Sequence, residues 1–344
     1  MKISYHAHSL RFKHPFTISK GTKTEQPTLV VELEFMGVKG YGEAPAISYY
    51  DITVDKMIAD LERKKMFIEK FAFTDPGRYW HYLHHLLPAN PFLVCAIDIA
   101  SWDLFGKLRN KKLYELWNGD ISRNPLTDFT IGIDTPEMML QKMQEKPWPI
   151  YKVKVGTADD LSLVENLRRH TNSILRVDAN AGWDLETALR LIPALKELGV
   201  ELVEQPLAKD NWDGMRVLFN ESVLPLIADE SCVSEQDVAR CQHYFHGVNI
   251  KLTKCSGITP ARRMIEDARR LEIKVMLGSM NESTVGTAAI AHLLPFVDYV
   301  DMDGPLLLAE DLATGISFHE GRIGYSDTPG LGIEYRGLFE KIND

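Results

Sequence analysis

Between Tyr151 and Lys251 the chain repeats one pattern, a short apolar run that ends on a charge. Tyr151-Lys152-Val153-Lys154, Leu175-Arg176-Val177-Asp178, Leu202-Val203-Glu204, Leu226-Ile227-Ala228-Asp229 and Val248-Asn249-Ile250-Lys251 follow one another at intervals of about 25 residues, the length of one strand, one crossover helix and two loops. Thr127 to Ile133 precedes them as a further candidate strand, and Lys274 to Gly278 and Val297 to Asp301 follow. Eight strands are therefore predicted between Thr127 and Asp301, the number that closes a parallel barrel. Thr135-Pro136-Glu137 opens the first crossover helix as N-cap, N1 proline and acidic first turn.

The stretch before Leu126 lacks this rhythm. Thr28 to Phe35 alternates loosely, Met36-Gly37 reads as a turn, and Val38 to Glu43 returns as an antiparallel partner. Pro91 to Arg109 predicts a long helix, amphipathic to fully buried, with Cys95, Ile97, Ile99, Trp102, Leu104 and Phe105 at its apolar positions. After Pro305 the pattern changes to short strands and turns, including Pro329-Gly330-Leu331-Gly332. The expected fold class is α/β: a (β/α)8-type barrel over residues 125–308, an α+β capping domain over 1–124, and a C-terminal segment, 309–344, that packs back on the capping domain.

Composition narrows the function by exclusion. A chain of 344 residues with 45% hydrophobic residues can bury a large core. Its net charge of −9 supplies no basic face for phosphates, so nucleic acid is not the expected partner. The opening Met1-Lys2-Ile3-Ser4-Tyr5-His6 has no apolar leader and no run is long enough to span a bilayer, which points to a cytoplasmic protein with no membrane partner. Cys95, Cys232, Cys241 and Cys255 form no Cys-x-x-Cys pair, so reduced thiols are expected. A homo-oligomer is compatible with all of this.

The charges at the strand ends carry the chemistry. Counting strands from Thr127, Lys154 and Lys251 fall on the second and sixth, which face each other across an eight-stranded barrel. Asp178, Glu204 and Asp229 occupy the third, fourth and fifth, at the C-terminal mouth where barrel active sites lie. Asp after a strand also caps the next helix, but three acids in phase with two lysines exceed what capping explains. Three converging carboxylates repel unless a hard cation sits among them, and oxygen ligands without His or Cys favour Mg²⁺ or Mn²⁺ over zinc. Such a cation, flanked by lysines, suits removal of a proton next to a carboxylate: it steadies the enolate while lysine takes the proton. Lys152 and the cation are expected to push the Lys154 pKa down, toward a working base. Two opposed bases would invert the carbon. On the last strand Asp301-Met302-Asp303 places two carboxylates opposite the metal. They would suit a substrate ammonium, although Asp before Gly304-Pro305 also serves local turns. A dipeptide, reacting at the α-carbon of its C-terminal residue, has the required length and charges.

These residues resemble the enolase superfamily, in its muconate-lactonizing-like branch that includes dipeptide epimerases. The resemblance runs through Pro15-Phe16 and the Ser19-Lys20-Gly21-Thr22-Lys23 loop, Gly40 to Pro45, Lys152-Val153-Lys154, Asp178-Ala179-Asn180, Glu204-Gln205-Pro206, Asp229-Glu230-Ser231, Lys251 and Pro329 to Gly332. It implies a modified barrel with a capping domain, Lys154 and Lys251 as the acid/base pair, Lys152 as a supporting cation, and Asp178, Glu204 and Asp229 as ligands of the metal. Asn180 and Glu230 would back those ligands, Asp301 and Asp303 would hold the substrate ammonium, and Thr130, Ser279, Met280 and Asn281 would line the pocket. Lys20 and Lys23 make the early loop cationic, and the resemblance sets Lys23 against a glutamate side chain, as a point charge rather than the fork an arginine offers. The implied activity is interconversion of L-Ala-D-Glu and L-Ala-L-Glu in cell-wall peptide metabolism. N-acylamino acid racemase, o-succinylbenzoate synthase or cycloisomerase activity on the same scaffold, and a non-catalytic binding or structural protein, are the alternatives. The first three share the metal and the lysines without needing the Asp301–Asp303 pair.

Overall fold

The computed structural model describes residues 1–19 and 21–337. Its first unit is a three-stranded antiparallel sheet, β1 (Lys2–Ile18), β2 (Gly21–Phe35) and β3 (Val38–Pro45) in that order. Met36 and Gly37 both take positive φ, 52° and 76°, the backbone that a two-residue hairpin between right-twisted strands requires. Three helices follow, α1 (Val54–Lys70), α2 (Pro76–Leu86) and α3 (Pro91–Leu108).

Helix α3 joins the two halves of the molecule. Asn90 caps it by accepting from Leu93 N at 3.1 Å, and Pro91 sits where no amide donor is needed. Leu93, Ala96, Ile97, Ala100 and Leu104 pack into the core of the sheet domain, whereas Cys95, Ile99 and Trp102 pack into the core of the barrel. A helix apolar on both sides is what a position between two cores demands. Gly40 and Gly42 of β3 permit the contact, since a Cβ at either would lie 2.2 and 2.0 Å from the carbonyls of Ala100 and Ala96.

Eight parallel strands form the second unit in sequential order: β4 (Phe129–Ile131), β5 (Ile150–Lys154), β6 (Ile174–Asp178), β7 (Val200–Glu204), β8 (Leu226–Ala228), β9 (Gly247–Lys251), β10 (Lys274–Gly278) and β11 (Tyr299–Asp301). A parallel bridge between Thr127 and Val300 links the first strand region to the last and closes the barrel. Period-two alternation sorts the side chains. Tyr151, Val153, Leu175, Val177, Val203, Val248, Ile250, Val275 and Leu277 face the surrounding helices as one core. Lys152, Lys154, Arg176, Asp178, Glu204, Asn249 and Lys251 take the other parity and are buried inside. The lower interior combines the apolar cluster Leu202, Ile227 and Met276 with a buried ion pair, Arg176 Nη1 to Asp128 Oδ2 at 2.9 Å.

Buried acids of the first unit accept from helix N-termini of the second, where unpaired amides and the helix dipole favour a carboxylate. Asp98 on α3 accepts from Thr259 N (2.9 Å) and Thr259 Oγ1 (2.7 Å) at the start of helix Ile258–Arg270. Glu43 on β3 accepts from Ser283 N and Oγ and from Gly286 N, at the head of helix Thr284–Ala291. In the C-terminal segment Leu331 N donates to Asp103 of α3 at 2.8 Å, and hairpin Ile316–His319/Arg322–Tyr325 reaches the barrel through Gly321, whose carbonyl accepts from Thr127 N at 2.9 Å. Among the described residues no helix is long and apolar enough to cross a membrane.

Candidate active site

Register alignment brings the strand-end charges to one height. Lys154 pairs across the sheet with Asp178, and Asp178 with Glu204; on the other arc Gly278 is flanked by Lys251 and Asp301. Gly278 makes room there, because a Cβ would lie 2.9 Å from Lys251 Cε and 2.5 Å from Asn249 Oδ1.

Each of the three acids uses its two oxygens differently. One oxygen is tied from behind: Asp178 Oδ1 by Asn180 N at 2.9 Å, Glu204 Oε1 by Asn249 Nδ2 at 2.7 Å, and Asp229 Oδ1 by Lys254 Nζ at 2.6 Å. The other faces the lysines. Asp178 Oδ2 meets Lys154 at 2.5 Å and Lys152 at 3.3 Å, and Asp229 Oδ2 meets Lys251 at 2.8 Å. Lys152 stands 2.6 Å from Glu204 Oε2 without the alignment of a hydrogen bond, and 2.6 Å from Asp301 Oδ2. Among the described residues no three His, Cys, Asp or Glu side chains draw their donor atoms together as around a metal ion. The front oxygens meet ammonium groups instead. The set nevertheless fits a hard cation in its chemistry, because it offers three buried carboxylates on successive strand ends, each with one oxygen held from behind.

Burial alone would lower the Lys152 and Lys251 pKa values, but the surrounding carboxylates outweigh it and hold both ammonium groups charged. Burial raises Glu204 to about 6, helped by the neighbouring Asp178 charge. Lys154 donates to the Asp178 carboxylate at 2.5 Å.

A cavity opens above this layer. The barrel contributes Lys154, Lys251, Asp229, Asn180, Glu230, Thr130, Asp301 and the loop Ser279, Met280 and Asn281; the capping domain contributes Phe16, Ile18, Gly21, Lys23, Ile47, Tyr49 and Tyr50. The β1–β2 hairpin docks on the mouth: Ile133 N donates to Thr17 O at 2.9 Å, and Phe16 pairs with Lys23 across the hairpin. Lys23 is half-buried, which lowers its pKa, and donates to Gln26 Oε1 at 3.0 Å. Lys20 lies outside the described residues.

The two aspartates after β11 behave differently. Asp301 lines the cavity and keeps its Oδ1 buried without a hydrogen-bond partner; burial opposes its ionisation, but Lys152 and Lys154 hold it down at about 2. Asp303 is not among the lining residues. Its Oδ2 accepts from Thr130 N at 2.6 Å, and burial with the Asp301 charge raises it to about 7. Strand alternation stops at Asp301 because helix Gly304–Leu307 begins directly after Asp303.

Sequence reasoning missed several groups. Asn249 stands in phase two residues before Lys251, so inward parity alone could have found it. Lys254 lies past the strand, in the short helix Leu252–Cys255, where that parity carries no signal. Gln205, at φ 34°, accepts from Asp229 N and Ser231 N and so fixes the turn that presents Asp229.

Residues 3–117 match the mandelate racemase / muconate lactonizing enzyme N-terminal domain, and residues 137–338 the enolase C-terminal domain-like family. The chain is 51% identical to an L-Ala-D/L-amino acid epimerase of Flavobacterium johnsoniae, over 97% of this chain and 99% of that one. Among solved structures, the L-Ala-D/L-Glu epimerase of Bacillus subtilis superposes with a TM-score of 0.92 at 26% identity, covering 98% of this chain and 100% of that one. A dipeptide epimerase of Cytophaga hutchinsonii, in complex with Mg and the dipeptide D-Ala-L-Val, superposes with a TM-score of 0.89 at 27% identity, covering 98% and 97%. The chain therefore belongs to the mandelate racemase / muconate lactonizing enzyme family of the enolase superfamily.

Proposed function

We propose that the protein is a dipeptide epimerase that inverts the α-carbon of the C-terminal residue, with L-Ala-D-Glu and L-Ala-L-Glu as the foremost pair, in cell-wall peptide metabolism. The observation that carries this reading is the placement of Lys154 on β5 and Lys251 on β9, four strands apart in an eight-stranded barrel, both lining one cavity. A neutral lysine on one side takes the α-proton and becomes an ammonium. The opposing ammonium returns a proton to the other face, so the carbon inverts and no co-reactant is consumed. Lys152, buried below, adds fixed positive charge where the substrate carboxylate gains negative charge.

Asp178, Glu204 and Asp229 would hold Mg²⁺, or Mn²⁺ in its place, with Asn180 and Glu230 beside them. Such a cation supplies Lewis-acid charge that offsets the charge developing on the substrate carboxylate. At the far end Asp301, with its unpartnered Oδ1, suits the substrate ammonium, and Asp303 behind it holds Thr130. For the side chain, Lys23 offers a cation that is already bonded to Gln26 and stands among Phe16, Ile18, Ile47, Tyr49, Tyr50 and Met280. That mixture supports Glu together with apolar residues, in keeping with the broader name of the 51% identical relative.

A library of L-Ala-X dipeptides incubated with enzyme and Mg²⁺ in D₂O, and weighed by mass spectrometry, tests the reaction: gain of one deuterium, with Glu and medium apolar residues at X the fastest, is expected. No incorporation into any dipeptide would remove the epimerase reading.

The ammonium site gives a second expected result. Asp301→Asn should lower kcat/KM for a free dipeptide on the order of 10- to 100-fold, the worth of a charge-assisted hydrogen bond in a closed site. The N-acetylated dipeptide carries no ammonium and should lose much less. Equal losses on both substrates, or a wild-type preference for the acetylated one, would move the assignment to an N-acylamino acid racemase.

A further inference from the structure

We infer that Asn249 and Lys254 form a bracket that fixes Glu204 and Asp229 from behind and so sets the affinity of the site for a divalent cation; the inference rests on the metal centre proposed above. Both residues come from one six-residue stretch that ends β9 and enters helix Leu252–Cys255. Asn249 Nδ2 donates to Glu204 Oε1 at 2.7 Å. Lys254 Nζ donates to Asp229 Oδ1 at 2.6 Å, to the Asp229 carbonyl at 2.6 Å and to the Asn249 carbonyl at 3.1 Å. The last bond ties the two arms together, so two acids on neighbouring strands are held by one unit.

Neither residue has a route to substrate. Asn249 is fully buried and Lys254 is 3% exposed, and neither lines the cavity. A buried ammonium is costly to desolvate, and replacing a buried ion pair by apolar groups is often neutral or stabilising. The geometry shows what this one holds: with Oδ1 and the main chain of Asp229 both gripped, only Oδ2 is left to face the centre. Rigid support behind ligating carboxylates typically governs metal affinity by about 10- to 100-fold.

The sign of the effect separates this role from simple electrostatics. Lys254→Met removes a positive charge near a cation site, which on charge grounds alone strengthens cation binding. Loss of positioning weakens it. Asn249→Ala changes no charge and should weaken binding as well.

The experiment is calorimetric titration of MgCl₂ into the full-length, chelator-stripped protein and both variants, with thermal melts in chelator as the check on folding. Expected are cooperative metal-free melts that show both variants folded, with the midpoint lowered in Lys254→Met because one partner of a buried pair is removed, Mg²⁺ dissociation constants raised about 10- to 100-fold in both variants, and kcat at saturating Mg²⁺ reduced less than affinity. If Lys254→Met does not fold, Asn249→Ala decides alone. Wild-type uptake of Mg²⁺ with unchanged or tighter binding in the folded variants overturns the bracket only. A wild-type protein that takes up no Mg²⁺ overturns the metal centre and the bracket with it.

Discussion

Lys154→Ala and Lys251→Ala are each expected to lower epimerisation by about 10²- to 10⁴-fold, the usual contribution of a positioned acid or base. Each variant should still exchange the α-proton of one substrate epimer with solvent. The reason is the arrangement of the strands: Lys154 reaches the cavity from β5 and Lys251 from the facing β9, so each addresses one side of a carbon held between them. Removing one lysine leaves the other able to take a proton from its own face and return deuterium to that same face, without inversion. Proton NMR in D₂O, with each pure epimer given separately to each variant, reads this directly. Lys154→Ala should wash out the α-proton of one epimer and Lys251→Ala that of the other. A variant that interconverts both epimers near the wild-type rate would end the two-base assignment, and exchange of both epimers by one variant would place both proton transfers on a single group.

The barrel was legible because its strands obey two rules at once. Outward positions such as Val153, Val177, Val203 and Ile250 must be apolar to meet the helices, and inward positions at the mouth carry the chemistry, so from β5 to β9 a period of two runs into a charge at or just after each strand end. The sheet partner β1 has no such signal. Lys2–Ile18 is an edge strand that mixes exposed, half-buried and buried positions, with a register shift between Arg11 and Phe16, and near its end the Thr17 carbonyl accepts from Ile133 N of the barrel.

The same logic marks the limit of the site reading. Lys152, Lys154, Asp178, Glu204 and Lys251 are in phase on regular strands, and Asp229 follows β8 by one residue. Asp303 shares that parity with Asp301 on paper, but the chain bends into a helix and the carboxylate turns to Thr130 N. Phe16, Ile18, Tyr49 and Tyr50 reach the cavity from a different domain. No spacing rule connects them to the barrel strands, and only the packing of the β1–β2 hairpin and α3 brings them there. Lys254 carries a charge that looks like any helical lysine in sequence, yet it is buried against Asp229.

Glu204→Gln is expected to abolish turnover while leaving the metal-free fold as stable as wild type or more so. Glu204 is fully buried between Asp178 and Asp229, and burial together with the Asp178 charge lifts its carboxyl from the ordinary 4.5 to about 6. A carboxyl whose folded pKa is raised contributes stability that is present below the unfolded value and lost as pH rises through the folded one. Wild type in chelator should therefore lose this contribution between about pH 4.5 and pH 6, whereas a glutamine cannot ionise. It can still accept from Asn249 Nδ2 in the place of Glu204 Oε1. The melting temperature of Glu204→Gln minus that of wild type should accordingly be near zero at pH 4 and positive or unchanged at pH 8, while kcat/KM falls at least about 10³-fold, as expected when charge is withdrawn from a preorganised catalytic centre. Chelation of the wild type should stop turnover reversibly, with activity restored by Mg²⁺. Full turnover in chelator, with metal content shown to be nil, would sink the metal-assisted mechanism. A glutamine variant that melts far below wild type at pH 8 would show instead that the Glu204 charge holds the barrel together through Lys152.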